Sequence, residues 1–180
     1  MSTPTPDETL LGLLALEPQH GYQLLEHFRD YQRLGAVWDM STSQIYAVLN
    51  RLERLGYIVG RQVEVENAPI RTCYALTASG QNALNNWLHE PLPSPSIRRV
   101  RVEFISRLYI ARLLGIPAED IIERQRATCA RQHHDLLAQR EQGSSEIGQM
   151  TIELIIAQLE AILRWLDHIT SRLQSSATIQ

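Results

Sequence analysis

The sequence predicts a mainly α-helical protein with one short β-ribbon, and three observations carry that prediction. Apolar residues recur every three or four positions along most of the chain, the spacing of one helix face. Only residues 57–76 are rich in β-branched and aromatic types, and they flank a polar NAP turn. HEPLPSPS, from His89 to Ser96, holds three prolines, which remove backbone donors and restrict their predecessors, so regular structure should break there. The halves are then residues 1–90 and 97–180, joined by a proline-rich linker at 91–96.

Within the first half, DETLLGLLALEP carries a leucine stripe and stops at Pro18. HGYQLLEHFRDY follows as a second helix, with Tyr22, Leu24, Leu25 and Phe28 as its apolar residues. Tyr22 and Trp38 are expected to pack inside this half. In STSQIYAVLNRLERLGY, Ser41 or Ser43 can cap a third helix through its hydroxyl, and Gly56 ends it. YIVGRQVEVE and IRTCYAL form a two-stranded hairpin. Thr77 caps a fourth helix, TASGQNALNNWL. Three helices, a β wing and a further helix within about 90 residues is the order of a winged helix-turn-helix.

Three helices fit the second half. SIRRVRVEFISRLYIARLLG ends at Gly115, and the next helix opens with Pro117, Glu119 and Asp120, which suit a first turn and its dipole. In the last, starting near Ser145, Ile152, Ile155, Leu159, Ile162, Leu166, Ile169 and Leu173 alternate spacings of three and four, a coiled-coil-like seam. Ile156 and Leu163 add a second apolar edge. Either a three-helix core within one chain uses both edges, or the seam is a homodimer interface. The second assignment has a physical motive, because a twofold axis presents in duplicate whatever binding surface the first half carries.

Composition narrows the function classes. Apolar residues make up 44% and charged residues 21%, a globular composition, and the apolar runs are too short to span a bilayer. MSTPTPDE has no basic segment leading into an apolar core, so a cytoplasmic protein is expected, with no membrane association. Cys73 and Cys129 stand far apart without a paired motif, which suggests neither a disulfide framework nor zinc. His133, His134 and Asp135 are adjacent on a helix, where neighbours diverge by about 100°, so one metal cannot easily use all three. Trp165 and His168 could line an effector pocket or simply pack in the core. No nucleophile elbow, phosphate loop or metal triad is present, so neither an enzyme nor a cofactor is expected.

On the third helix, Ile45, Val48, Leu49 and Leu52 fall on one face and form the buried stripe. Ser43, Ala47, Asn50 and Arg54 cluster opposite, bordered by Gln44 and Arg51 on one edge and Tyr46 on the other. A purely solvating face usually mixes acids and bases in i,i+4 pairs, whereas Glu53 is the only acid here. Amides pair with adenine and guanidinium with guanine, while Ala47 permits close approach. Ser41, Thr42 and Ser43 with the free N–H groups of the helix start suit a phosphate. Arg61 and Arg71 add cations on the hairpin, near Glu64 and Glu66. The whole chain carries −3, and residues 1–90 hold six arginines against ten acids, so charge must be segregated. Asp7, Glu8, Glu17 and Asp30 should face away from DNA.

These segments resemble the PadR family of bacterial transcriptional regulators. LLGLLALEPQHGYQLLE is similar to its first-helix and GY-x-L signature, and SQIYAVLNRLERLGYI to its recognition helix, with Tyr46 as the characteristic aromatic. YALTASGQNALNNWL matches the family's ending through Tyr74, Leu76, Thr77, Gly80, Leu84 and Trp87. Residues 97–180 resemble, by length and helical pattern, the helical C-terminal region of the PadR and virulence-activator branch. The resemblance implies a homodimeric winged-helix repressor or activator on an inverted-repeat operator in double-stranded DNA, often modulated by a small aromatic effector. The competing reading is a winged-helix module whose exposed helix face meets a protein partner.

Overall fold

The computed structural model describes residues 4–63, 71–142 and 145–177. Glu64, Glu66 and the NAP turn lie outside the described residues. The chain divides into two compact units, one made of Met1–Glu90 with Ile105–Ile116, the other of Pro91–Phe104 with Pro117–Gln180. Residues 97–180, read from sequence as one segment, thus contribute to both units.

In the first unit, α1 (Asp7–Leu14) is followed by β1 (Gln19–His20), α2 (Gly21–Arg29) and a 3₁₀ turn (Leu34–Ala36). Then come α3 (Thr42–Arg54), β2 (Ile58–Val63), β3 (Arg71–Leu76) and α4 (Ala78–Leu88). This is the winged helix-turn-helix order, with one addition. Among the described residues the sheet has three strands, in the order β1-β3-β2, because Gln19 and His20 pair with Tyr74 and Cys73 on the edge of β3 that faces away from β2. A two-residue strand carries no periodic signal in sequence. All ladders are antiparallel.

The core is aliphatic: Leu10, Leu13, Leu24, Ile45, Leu49, Leu52, Leu84 and Ile110 are fully buried. Each such side chain contributes about 1.5–3 kcal/mol through removal from water. The helix α6 (Ile105–Leu113) packs on α1, where a Cβ on Gly12 would lie 2.4 Å from Ile110 Cγ2. That close approach is what a glycine at position 12 allows. Buried Gln19 is satisfied by donating from Nε2 to the Leu13 carbonyl at 3.0 Å. Trp38 is half-buried, donating from Nε1 to Ser106 Oγ at 2.9 Å and lying edge-on to Phe28. Tyr22 departs from the expected packing role: it is 46% exposed.

His27, on the last turn of α2, is half-buried with Nδ1 3.4 Å from the Tyr109 hydroxyl. Burial lowers its pKa, Arg33 lowers it further, and Asp30 opposes them. The fold therefore favours neutral imidazole, while the unfolded chain binds the proton more readily. Stability conferred by this site is present above the ordinary value of about 6.5 and is lost as pH falls below it. Thermal melts between mildly acidic and neutral pH should show this acid loss, and His27→Gln should flatten it. An unaltered profile in that variant would place the titration elsewhere.

In the second unit, α5 (Ile97–Arg99) runs directly into a π-helical segment (Val100–Phe104). Val100, Val102 and Phe104 are buried, and Phe104 meets Trp165 edge-on at 5.9 Å between centroids. The remaining elements are α7 (Glu119–Glu141) and α8 (Glu146–Ala177), which pack along each other. Of the seam, Ile152, Leu159, Ile162 and Leu166 are buried, Ile155 and Ile169 are half-buried, and Leu173 is 43% exposed. Ile156 is buried as well. Most of the seam is therefore covered within a single chain. Besides Leu173, the large apolar residues Ile147, Met150 and Leu154 are left exposed on α8. Trp165 packs on Phe104, and His168 is exposed.

Candidate nucleic-acid interface

Helix α3 begins with a reciprocal cap. Ser41 Oγ accepts from the Gln44 N–H at 3.2 Å, and Gln44 Oε1 accepts from the Ser41 N–H at 2.8 Å. Two otherwise orphaned donors are satisfied in this way. Gln44 is therefore folded back on the helix start, with its carbonyl already engaged. Thr42 Oγ1 accepts from Arg29 Nη2 at 3.2 Å, and Ser43 Oγ lies 3.0 Å from Ser41 Oγ.

Ile45, Val48, Leu49 and Leu52 face inward, as their spacing predicts. Ser43, Gln44, Ala47, Asn50 and Arg54 are exposed on the opposite side, and Tyr46 is 39% exposed at its edge. Glu53 is not a free acid on this helix: its Oε1 accepts from the Gly60 N–H at 2.8 Å, tying α3 to β2. Gly56, at φ +73°, makes the turn between those two elements.

Arg51 is placed differently from its neighbours. Its Nε donates to Asp7 Oδ2 at 3.0 Å, and Nη2 donates to Oδ1 of the same carboxylate. The hydrogen bond to Asp7 raises the Arg51 pKa, with Glu8 adding a smaller contribution. Asp7 does not face away from α3, because it is the partner of that helix. Asp30 pairs instead with Arg33 at 3.1 Å, and Glu17 is exposed beyond the end of α1.

On the hairpin, Arg61 opposes Cys73 and Val63 opposes Arg71. Cross-strand partners share a face, and so do residues two apart, so Arg61 and Arg71 lie on one side of the ribbon. Both are exposed. The Arg71 guanidinium sits 5.3 Å from the centre of the Tyr22 ring, which in turn stacks on His20 at 5.7 Å. His20, Gly21, Tyr22, Tyr46, Arg71 and Thr72 line an open cleft of about 600 Å³ beside the start of α2. A Cβ on Gly21 would fall 2.8 Å from the Tyr46 ring, so the glycine seats that aromatic.

The structure thus brings Ser41, Thr42, Ser43, Gln44, Tyr46, Asn50 and Arg54 onto one helix surface and sets Arg71 near Tyr46. It draws Arg51 to Asp7. The His20–Tyr22–Arg71 stack and the Asp7–Arg51 pair join residues distant in sequence, and no local pattern announces either. Among the described residues, no group of His, Cys, Asp and Glu could hold a metal ion. No described helix is long and apolar enough to cross a membrane.

Residues 10–86 match the family model described as the transcriptional regulator PadR-like family. Among curated proteins, the negative transcriptional regulator PadR of Bacillus subtilis is 33% identical over 108 residues, covering 59% of this chain and 56% of that protein. The probable transcriptional regulator Rv1176c of Mycobacterium tuberculosis is 29% identical over 83 residues, 46% of this chain and 43% of that protein. The chain therefore spans about half the length of the curated relatives it matches. Among solved structures, Bacillus subtilis PadR in complex with operator DNA aligns over 95% of this chain and 99% of that one, at 25% identity and a TM-score of 0.48. The same protein with p-coumaric acid aligns over 94% and 98%, at 24% identity and a TM-score of 0.43.

Proposed function

We propose that this chain binds double-stranded operator DNA through the exposed face of α3 and represses transcription, a reading supported by the match of residues 10–86 to the PadR-like transcriptional-regulator family model. One observation carries the reading: the solvent-facing strip of α3 holds hydroxyl, amide and guanidinium groups, while its one acid is engaged by the hairpin backbone. Asn50 and Arg54 are placed to read base edges, Ala47 permits close approach, and Ser41, Thr42 and Ser43 meet phosphate at the helix start. Gln44 supports that start through its cap and offers its amide NH₂ outward. Tyr46 anchors phosphate, and Arg61 and Arg71 support from the wing. Repression is the sign carried by the name of the Bacillus subtilis relative.

The protein acts as a homodimer on an inverted repeat, since one helix contacts too few bases for useful specificity. With most of the α8 seam covered within one chain, the exposed stripe of Ile147, Met150 and Leu154 supplies the apolar surface for a second copy, extended by Leu173 at the other end of the helix. A small aromatic effector that shifts operator affinity belongs to the same reading, with no residues assigned to it. The runner-up is a protein-binding winged helix, favoured by the excess of acids over arginines in residues 1–90.

Titration of the full-length protein against duplex from its own upstream region, across a salt series, separates the two. A steep loss of affinity with salt signals phosphate neutralisation. Arg54→Ala is expected to weaken binding by about 1–3 kcal/mol without changing the melting temperature. Absence of binding at low salt would leave the protein-partner reading standing.

A further inference from the structure

Arg51 lies on the border of the α3 strip, yet its guanidinium is not presented outward. Two of its N–H groups donate to the two oxygens of one carboxylate, Asp7 at the first position of α1. A fork-on-fork pair of this kind fixes both side chains in direction as well as distance. The Asp7 side chain is only 17% exposed and that of Arg51 37%, so water screens the pair less than an ordinary surface contact. Glu8 adds a second negative charge acting on the same guanidinium. For Arg51 to meet a phosphate or a guanine edge, it must leave this carboxylate and strand it half-buried.

We propose that Asp7 sets DNA affinity by holding Arg51 along α1, so that the ion pair and the duplex compete for one guanidinium. The inference rests on the duplex-binding reading above. It assigns α3 one cationic contact fewer than its sequence carries, and it gives Asp7 a positioning role. Arg54, about one helical turn further on and without an acidic partner among the described residues, remains the cation of the strip.

The test uses the full-length protein and a mixed-sequence duplex, titrated at several salt concentrations. Asp7→Asn keeps the side-chain shape and removes the charge, and Asp7→Ala removes the acceptor altogether. Melting temperatures establish that both fold. Each should bind on the order of tenfold more tightly at low salt and steepen the salt slope by about 0.9, one additional neutralised phosphate. Made in an Arg51→Gln background, the same changes should give neither effect. A gain that persists in that background comes from the lost negative charge alone and overturns the proposal. No gain from either change in the native background overturns it too, while leaving duplex binding intact. Failure of the unaltered protein to bind at low salt would instead remove the duplex reading, and this proposal with it.

Discussion

Alanine in place of Gly80 is expected to destabilise the first unit by about 3 kcal/mol or more, the upper end of what overpacking costs. A Cβ at this position would lie 2.1 Å from the Tyr57 carbonyl oxygen and 2.9 Å from its carbon. Those are backbone atoms, which cannot swing aside as a side-chain tip can. The same carbonyl accepts from the Thr77 N–H at 3.0 Å, and the Thr77 hydroxyl reaches both it and the Gly56 carbonyl while capping α4 at Gly80 N–H. The turn leaving α3 and the start of α4 are thereby locked together, and the added methyl drives them apart. Better helix propensity would return only about 1 kcal/mol. Denaturant midpoints of the variant, read against Ser79→Ala at a neighbouring exposed site, measure the difference. Equal midpoints would mean that this close approach does not hold the hairpin.

Leu49→Ala carries the other large expected effect, a loss of about 2–5 kcal/mol. Leu49 is fully buried on α3 among Ile45, Val48 and Leu52, so truncation removes apolar contact and leaves a cavity. Against a typical total stability of about 5–15 kcal/mol, that endangers the fold at physiological temperature. It would also lower the proposed DNA binding, though only in proportion to the unfolded fraction. The contrast with Arg54→Ala is the informative part. One variant loses stability and binds as well as its folded fraction allows, while the other keeps its stability and loses contact. If Leu49→Ala melted at the native temperature, the inward face assigned to α3 would be wrong.

Most of the helices were legible because they have a periodic apolar stripe or a recognisable end, whereas the single helix expected up to Gly115 is interrupted by the π-helical segment Val100–Phe104. Ser41 and Thr77 are the caps their positions suggest, and Gly56 and Gly115 adopt the positive φ that ends a helix. The inward residues of α3 were legible for the same reason. β1 was not, since Gln19 and His20 form a strand only because β3 offers them a ladder. Nor was the fate of Arg51, whose partner precedes it by 44 positions and meets it only once the fold has brought the start of α1 within reach of α3. The α8 seam shows the limit of periodicity: it reports that a face is covered, and it is silent on whether the cover is α7 or another molecule.

The allotment of Ile105–Ile116 to the first unit and of Pro91–Phe104 to the second carries a practical corollary for dissecting the molecule. The polypeptide passes between units at positions 90, 104 and 116, so no single cut yields two intact pieces. A fragment stopped at Glu90 would lose α6 and leave bare the pocket over Gly12 that Ile110 fills, inviting aggregation. Gene fusions and truncations meant to isolate the N-terminal unit must therefore carry residues through 116.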